Sequence, residues 1–246
     1  MTPPPFALQL KVLSTRYRAC MMGDVGALIL LIAQAPFIGW LCTLVWGSVE
    51  TDTPSLYFVM CLSAVWFGCI NACREIVKER DIVERERLLG LSCVAYILSR
   101  VQVLAVLGLI QVLLLQVAIE FELSLRGFFW FESLALWGAS LCGVGLGLVV
   151  SAVAKTQERA VGAIPLLILP QILFSEFAIP REQFGTVVEW IECFMPVKWA
   201  YQVFTELAAT ETEWLAVIGA FCMLILMSVT LTGLATLALL PKRSVL

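Results

Sequence analysis

Long apolar stretches separated by short polar segments run through this chain of 246 residues. A helix needs roughly 17–25 mostly apolar residues to cross about 30 Å of hydrocarbon, and six stretches meet that length. The predicted spans are 26–47, 55–72, 94–119, 128–154, 160–177 and 214–240. The pattern therefore predicts an all-α integral membrane protein with six transmembrane helices.

The segment 74–87, between the second and third spans, breaks this pattern most sharply. It carries ten charges in fourteen residues, five basic and five acidic. Each charge costs about 2.5–3.5 kcal/mol at the centre of a bilayer, so the segment must lie in water or against a soluble protein. Because its charges cancel, it is not simply a polybasic lipid-binding segment, and a helical docking surface is favoured. The alternative is a solvated loop whose charges only keep it out of lipid.

Three further segments depart from a simple span. After a proline-rich start, apolar residues recur at helical spacing within 1–25, which predicts an interfacial helix on the membrane surface. The fifth span contains Pro165 and Pro170, so it is expected to be kinked or broken. Within 180–200, an amphipathic stretch too short to cross the bilayer predicts a re-entrant or surface-lying outer helix.

The composition excludes an ordinary soluble domain, since 61% of the residues are hydrophobic and the mean hydropathy is +0.94. The chain has no histidine, which removes Ser-His and Cys-His nucleophile pairs and histidine metal sites. No GxxxxGK[ST] phosphate loop is present, so any nucleotide chemistry belongs to another chain. The nine cysteines lack metal-site spacing. Only Cys193 is predicted on the outer side, where a disulfide between two copies is the minor alternative to a reduced thiol.

The basic residues indicate the orientation in the membrane. With the N-terminus inside, thirteen Lys and Arg residues lie in inner segments and three in outer segments. This positive-inside bias predicts that both termini and the charged segment are cytoplasmic, in a plasma (inner) membrane. Arg100, near the start of the third span, is expected to snorkel to the inner interface.

Three motifs carry a resemblance to a known family. They are Glu79-Arg80-(x4)-Arg85-Glu86-Arg87-Leu88-Leu89-Gly90-Leu91 followed by Tyr96-Ile97-Leu98-Ser99-Arg100, the run 145–152, and Phe174-Ser175 through Pro180 to 195–201. With the order of the segments, they make the chain similar to the membrane domain of a type 2 ABC exporter of the ABCG-like group. That group has an interfacial connecting helix, six spans, a coupling helix, here 74–92, and a re-entrant outer segment.

Two features depart from the family pattern. Members often carry a fused ATPase, whereas this chain starts at the connecting helix, so separate ATPase subunits are expected. Glu176 stands where the family commonly has a glycine after Phe-Ser, which puts a simple apolar outer gate in doubt.

The resemblance implies a coupling surface for the ATPase, a substrate cavity between the second and fifth spans, and an outer gate. The implied coupling residues are Arg80, Glu84, Arg85, Glu86, Arg87 and Gly90. The implied cavity residues are Met60, Ser63, Phe67 and Asn71, facing Pro165, Ile168, Leu169 and Ile172, with the gate at Phe177 and Glu176. For each cavity residue, ordinary packing is an equal alternative, and Asn71 and Gln171 are also candidates for hydrogen bonds between helices.

Six spans are half of what such exporters use. The resemblance therefore implies two copies of this chain, or this chain with a paralogous permease, together with ABC ATPase subunits in a lipid bilayer. ATP and Mg would bind the ATPase, with no cofactor on this chain and no nucleic-acid partner. The implied function is that of a permease subunit, coupling ATP hydrolysis to export of an amphipathic or lipid-like substrate.

Two other classes of function stay open. A nontransporting membrane anchor or scaffold that docks a cytoplasmic partner would keep the charged segment but need no cavity. A membrane-embedded enzyme would need convergent catalytic groups, which the lack of histidine and the placement of the acids mostly in loops disfavour.

Overall fold

The computed structural model describes residues 4–48, 54–123, 125, 128–175 and 185–240. In that part of the chain ten α-helices form and no strand does, so the all-α prediction is confirmed. The helices are α1 (Phe6–Gly23), α2 (Val25–Trp46), α3 (Pro54–Ala72), α4 (Arg80–Leu88), α5 (Cys93–Glu120), α6 (Phe129–Val153), α7 (Gln157–Leu173), α8 (Thr186–Glu192), α9 (Pro196–Ala208) and α10 (Trp214–Ala238). A short 3-10 turn, Val77–Glu79, precedes α4.

Five helical stretches in the described residues are long and apolar enough to cross a membrane. They contain α2, α3, α5, α6 and α10, at the first four predicted spans and the sixth, and indicate a multi-pass membrane protein. At the fifth predicted span, α7 has 17 residues. It includes both Pro165 and Pro170 without a break, because helices in lipid tolerate proline when neighbouring groups satisfy the freed carbonyls.

The helix bundle has two ends. We call the end formed by residues 73–92 the charged end, and the other the opposite end. The last turn of α6 lies at the charged end, where Arg80 Nη2 donates to the Ala152 carbonyl oxygen at 2.7 Å. The C-terminus of α10 lies there as well, since Arg87 Nη1 donates to the Leu239 carbonyl oxygen at 2.5 Å. The chain therefore returns to the charged end at the C-termini of α3, α6 and α10.

The helix α7 runs from the charged end to the opposite end. Its first residue, Gln157, lines a cavity together with Tyr17 of α1, at the charged end. Near its last residue, the Gln171 side-chain oxygen accepts a hydrogen bond from the Val197 backbone N–H at 3.4 Å. Gln171 also shares a pocket with Phe58, which lies near the start of α3. This helix thus connects the same two ends as the five longer ones.

A close seam between α3 and α6 forms the centre of the bundle. A Cβ atom added to Gly143 would lie 2.3 Å from the Val65 carbonyl oxygen, and one added to Gly68 would lie 2.0 Å from the Ser140 carbonyl oxygen. Only glycine lets two helix backbones approach this closely. Gly143 and Gly147, which form a GxxxG motif, therefore serve close helix packing.

The helix α9 extends beyond the predicted outer segment 180–200 and ends at Ala208. Its buried face carries Pro196, Val197, Ala200, Tyr201, Val203, Phe204 and Leu207. The Phe204 ring lies 5.2 Å from the Tyr57 ring of α3, centroid to centroid, which places α9 in the main core. Residues 201–208 thus belong to the packed bundle, although no span or outer segment was predicted for them.

The N-terminal helix α1 packs along α5. Of the expected apolar stripe, Leu13 and Tyr17 are buried. The buried residues of α1 also include the polar Gln9 and Ser14. Gln9 Oε1 accepts the Ser92 backbone N–H at 2.9 Å. A second polar contact, from Ser14 Oγ to Gln102 Oε1 at 3.1 Å, lies further along the pair. Polar contacts therefore help to fix α1 on the spans.

Candidate functional site

Arg100 is fully buried at the charged end, with 1% of its surface exposed. Its guanidinium forms an ion pair with Glu79 and lies 4.1 Å from the Tyr17 ring centroid and 4.7 Å from that of Tyr96. A buried charge is stable only when it is paired, and aromatic faces add cation–π attraction. The expectation that Arg100 snorkels to the interface is wrong, because the ion pair and the two rings hold it inside the protein. Burial and the nearby Glu75 carboxylate raise the pKa of Tyr17, so its ring stays a neutral phenol.

A second ion pair joins α1 to α4. Arg16 Nη1 lies 2.5 Å from Glu86 Oε1, and Arg16 Nη2 lies 3.8 Å from Glu79 Oε2. The hydrogen bond to Glu86 raises the pKa of Arg16. The two side chains remain 37% and 31% exposed, so this pair contributes only about 0.2–1 kcal/mol. Since Glu79 also binds Arg100, the helices α1 and α5 share one charged network with α4 and its preceding turn.

Two arginines of α4 bind the C-terminal ends of other helices. The carbonyl groups that Arg80 and Arg87 contact lie at the ends of α6 and α10, where helix carbonyls lack an intrahelical partner and the helix dipole is negative. The end of α6 also holds the turn before α4, because Ser151 Oγ accepts the backbone N–H groups of Ile76 and Val77 at 2.9 and 3.0 Å. These contacts attach α4 to two further spans.

The i to i+4 spacing of Arg80 with Glu84 and of Asp81 with Arg85 in the sequence predicts ion pairs within α4. Neither pair lies within ion-pair distance in the described chain. Arg85 Nε donates instead to the Asp81 backbone oxygen at 3.1 Å, and Arg80 turns toward α6. This expectation is wrong because helix-end carbonyls, already partly shielded from water, offer Arg80 a better acceptor than an exposed carboxylate does.

The implied coupling residues therefore divide between two faces of α4. Arg80, Glu86 and Arg87 bind other parts of the chain, while Glu84 and Arg85 are exposed. Beside the exposed pair lie Ile82, Leu88 and Leu89, of which the two leucines are 85% and 84% exposed. The leucines belong to the quoted motif but were given no role. An apolar pair directly after a charged run was the signal that could have found them.

Gly90 ends α4 in the left-handed region, with φ of 97°. The Leu91 N–H binds the Glu86 carbonyl at 3.1 Å, and the Gly90 N–H binds the Arg87 carbonyl at 3.1 Å. This pair of bonds is the Schellman motif, which stops a helix and satisfies its last carbonyls. Glycine is needed here because an L side chain in this conformation is strained. Gly90 thus fixes the residue at which α4 ends, just after Leu88.

The implied cavity residues of α3 lie in the core of the single chain. Met60 and Phe67 are 0% exposed, and Ser63 is 9% exposed with its hydroxyl donating to the Val59 carbonyl at 2.7 Å. The face of α3 that is partly exposed carries Ser55, Val59, Leu62, Trp66 and Ile70. In this structure the implied face and the accessible face are therefore different sides of the helix.

Asn71, the deepest of these residues toward the charged end, bridges three spans. Its Nδ2 donates to Gln111 Oε1 of α5 at 2.6 Å, and Gln111 Nε2 donates to the Leu31 carbonyl of α2 at 2.7 Å. The alternative that Asn71 is a hydrogen-bond partner between helices is confirmed. Gln171 likewise binds α9 through Val197.

On α7, three of the four implied cavity residues face outward. Pro165, Leu169 and Ile172 are exposed, whereas Ile168 is 7% exposed and packs inward. The implied gate, Phe177 and Glu176, lies outside the described residues. The outward face of α7 is thus open to lipid or to a second chain.

A buried polar joint between α5 and α6, at the opposite end, was not expected from the sequence. Gln116 Nε2 donates to Glu132 Oε2 and to Glu120 Oε1, both at 3.0 Å. Ser133 Oγ donates to Gln116 Oε1 at 2.6 Å. An acid inside a predicted span, as Glu132 is, was the signal to search for such a partner. The joint ties the end of α5 to the start of α6.

The described part of the chain contains no cluster of side chains suited to a metal ion. No group of three or more His, Cys, Asp or Glu residues there could hold a metal ion. All the cysteines are free thiols, and Cys193 is partly exposed beside Lys198, whose Nζ donates to its sulfur at 3.4 Å. The charged end instead presents an exposed helix surface. Ion pairs and hydrogen bonds connect α4 and the turn before it to α1, α5, α6 and α10.

Comparison with known families identifies the kind of protein that uses this arrangement. The family described as ABC-2 type transporter matches residues 8–209, more than half of the chain. The chain belongs to this family. Membrane domains of ABC-2 transporters are permease components that work with ATP-binding partners, so the predicted resemblance to a type 2 ABC membrane domain is confirmed.

A relative among characterised proteins agrees with the ABC-2 assignment. The chain is similar to the ABC transporter ATP-binding/permease protein Rv1747 of Mycobacterium tuberculosis (strain ATCC 25618 / H37Rv), with 26% identity over 166 residues. The aligned region is 63% of this chain and 19% of that protein, so the similarity spans about a fifth of the relative.

Proposed function

We propose that this ABC-2 chain is the permease subunit of an ATP-driven exporter and that a separate ATPase subunit docks on the exposed face of α4. The observation that carries the proposal is the pair Leu88 and Leu89, exposed on a helix whose other face is bound to the spans. Membership of the family supports an ATP-binding partner. An apolar pair rimmed by charges suits a soluble partner that buries the leucines in a pocket.

The contacts of α4 provide a route for coupling. A displacement of α4 by the ATPase would pull α1 through Arg16 and α6 through Arg80. It would pull α10 through Arg87, and α5 through the pair of Arg100 with Glu79 in the preceding turn. Four helices then respond to one docking surface, which is the mechanical requirement for a transport cycle driven by ATP binding and hydrolysis.

The membrane layout that we propose has six crossings. A helix of 17 residues is about 25 Å long, close to the hydrocarbon thickness, and α7 connects both ends of the bundle. With α7 as the fifth crossing, α10 starts at the opposite end and finishes at the charged end, as its contact with Arg87 requires. An even number of crossings brings both termini to one side. The positive-inside bias makes that side the cytoplasm of a plasma (inner) membrane.

The working unit that we propose is a dimer of this chain, or of this chain and a paralogue, with two ATPase subunits that bind ATP and Mg. The translocation path lies between the membrane subunits. It is bordered by the outward face of α7, with Leu169 and Ile172, and by the partly exposed face of α3, with Trp66. These side chains are apolar, which suits an amphipathic or lipid-like substrate.

The test of docking is a charge substitution on the exposed leucines. Leu88→Asp combined with Leu89→Asp should insert and fold normally, since both side chains are exposed, yet co-purify at least about tenfold less ATPase subunit. The matched control is Phe121→Asp, which places the same charge at an 88% exposed position at the opposite end. Unchanged ATPase binding in the double variant, or an equal loss in the control, overturns the docking site.

The test of transport uses vesicles that contain the chain and its ATPase. ATP-dependent movement of a fluorescent phospholipid by the wild type, lost with the two leucine substitutions, supports an exporter. ATPase binding without any ATP-dependent movement of amphipathic probes would overturn the exporter proposal and leave an anchor or scaffold.

A further inference from the structure

A cavity of about 280 Å³ lies at the charged end, between α1, α2, α3, α5, the turn after α3 and the first residue of α7. It is lined by the first residues of α2, by the end of α3 with the turn that follows it, and by the middle of α5. One part of its wall is apolar, formed by Leu28, Leu31, Leu104 and Leu107. The other part is polar and is formed by Asp24, Arg74, Glu75 and Lys78. The cavity therefore has the two halves that an amphiphile needs.

The polar half holds a buried acceptor whose hydrogen bonding is incomplete. Glu75 is 8% exposed, and its Oε1 accepts from Lys78 Nζ at 2.6 Å. Its Oε2 is buried and lacks a well-aligned hydrogen bond from the described residues, although the Tyr17 hydroxyl lies close to this carboxylate. Buried carboxylate oxygens are normally satisfied, so this atom calls for a donor from a ligand or from solvent.

The same half holds a cation that is free to bind an anion. Arg74 is exposed and lines the cavity, and its side chain has no hydrogen bond or ion pair with the described residues. A guanidinium binds phosphate in a bidentate manner, with planar N–H groups that match two phosphate oxygens. An acceptor for a cation and a donor for an anion thus line a single polar wall.

We propose that this cavity binds a zwitterionic aminophospholipid from the adjacent leaflet. Its primary ammonium group donates to Glu75 Oε2, its phosphate pairs with Arg74, and one acyl chain lies along the leucines of α2 and α5. A primary ammonium fits because it donates N–H groups, whereas the trimethylammonium of a choline lipid has none. All the residues that line the cavity belong to one chain, so the bound lipid is a resident partner and not the cargo.

Occupancy should also stabilise the charged end. Glu75 and Tyr17 line the cavity, and Tyr17 also stacks on Arg100, so a lipid bound there packs directly against the charged network. A ligand that binds only the folded chain raises its apparent stability by mass action. The wild-type chain should therefore unfold at a higher temperature in phosphatidylethanolamine than in phosphatidylcholine.

The experiment is native mass spectrometry of the full chain released from nanodiscs that contain equal amounts of phosphatidylethanolamine and phosphatidylcholine. The wild type should retain phosphatidylethanolamine at least about fivefold over phosphatidylcholine. Glu75→Gln should abolish this preference, because the amide oxygen carries no charge for the ammonium. Soluble glycerophosphoethanolamine at equal concentration should fail to displace the lipid, since it lacks the acyl chain.

Two variants of α2, in each of which phenylalanine replaces an alanine, test the cavity without changing its charged residues. Ala27→Phe places a ring at the cavity wall and should abolish lipid retention, whereas Ala33→Phe places the same ring on an exposed face of the same helix and should not. Retention of no lipid by the wild type would mean a water-filled cavity and overturn the proposal. Equal retention of the two lipids by the wild type would also overturn it. So would equal retention of phosphatidylethanolamine by Ala27→Phe and Ala33→Phe. The measurement needs no ATPase, so its failure is distinct from a failure of ATPase docking.

Discussion

The seam between α3 and α6 and the charged end around Arg100 are held together by different forces. At the seam, glycines such as Gly68 and Gly143 bring two backbones into direct contact. At the charged end, Arg100 and Arg80 reach other helices through ion pairs and hydrogen bonds. A gap of about 0.5–1 Å forfeits roughly a quarter to a half of the dispersion energy of a contact, whereas charges still attract over several ångströms. The seam is therefore suited to stay rigid, and the charged end to move while remaining connected.

Gly143→Leu should have the largest effect of the variants that test this contrast. The new side chain would meet the Val65 carbonyl at 2.3 Å from its Cβ alone, so the two backbones must part. We expect a loss of about 4 kcal/mol or more in the free energy of unfolding, seen as aggregation or as a collapsed melting temperature on size-exclusion and thermal assays. Gly219→Leu is the control, because its Cβ meets nothing within 4 Å. Comparable behaviour of the two variants would contradict a rigid seam.

Arg100→Met should come next. The substitution leaves Glu79 without its main partner in a largely buried setting, which costs about 3–5 kcal/mol. Adding Glu79→Gln removes the unpaired charge and should recover most of that loss in thermal unfolding. Recovery would show that pairing, and not size or shape, holds Arg100 in place. If the double variant Arg100→Met with Glu79→Gln is no more stable than Arg100→Met alone, the ion pair does not hold Arg100 in place.

Arg16→Gln should have the smallest effect. The pair with Glu86 is about one third exposed, so we expect a loss of only about 0.2–1 kcal/mol. The difference from wild type, measured by thermal unfolding, should shrink further between about 0.05 and 0.5 M salt, since mobile ions screen an exposed pair. A large loss that salt leaves unchanged would place this contact in the buried network instead of at its rim.

Much of the fold follows from local properties of the chain. The apolar length of five spans and the helical N-terminus depend on residues that are neighbours in sequence, so both were predictable from it. The expectation for Arg100 failed because an arginine near a span end has two outcomes, snorkelling or burial, and only distant partners such as Glu79 and Tyr17 select between them.

The sequence located the charged segment of the candidate site but did not predict which of its side chains bind the bundle. The charge pattern marked α4 as a helix outside the lipid but did not indicate which of its residues face the bundle. The same difficulty affected α3, where Met60 lies in the core and Trp66 on the accessible face. A helix buried on most sides is apolar all round, so its pattern carries no direction.

By itself, the sequence determined that this is a helical membrane protein of the ABC-2 type with a charged segment outside the lipid. Hydrophobic length and the cost of charge in hydrocarbon leave no other place for those residues. Only the tertiary structure decided which charges bind other helices and which stay exposed, and that a cavity of about 280 Å³ opens beside Glu75. Those outcomes depend on contacts between residues far apart in the chain, such as Arg87 with Leu239, which no local pattern encodes.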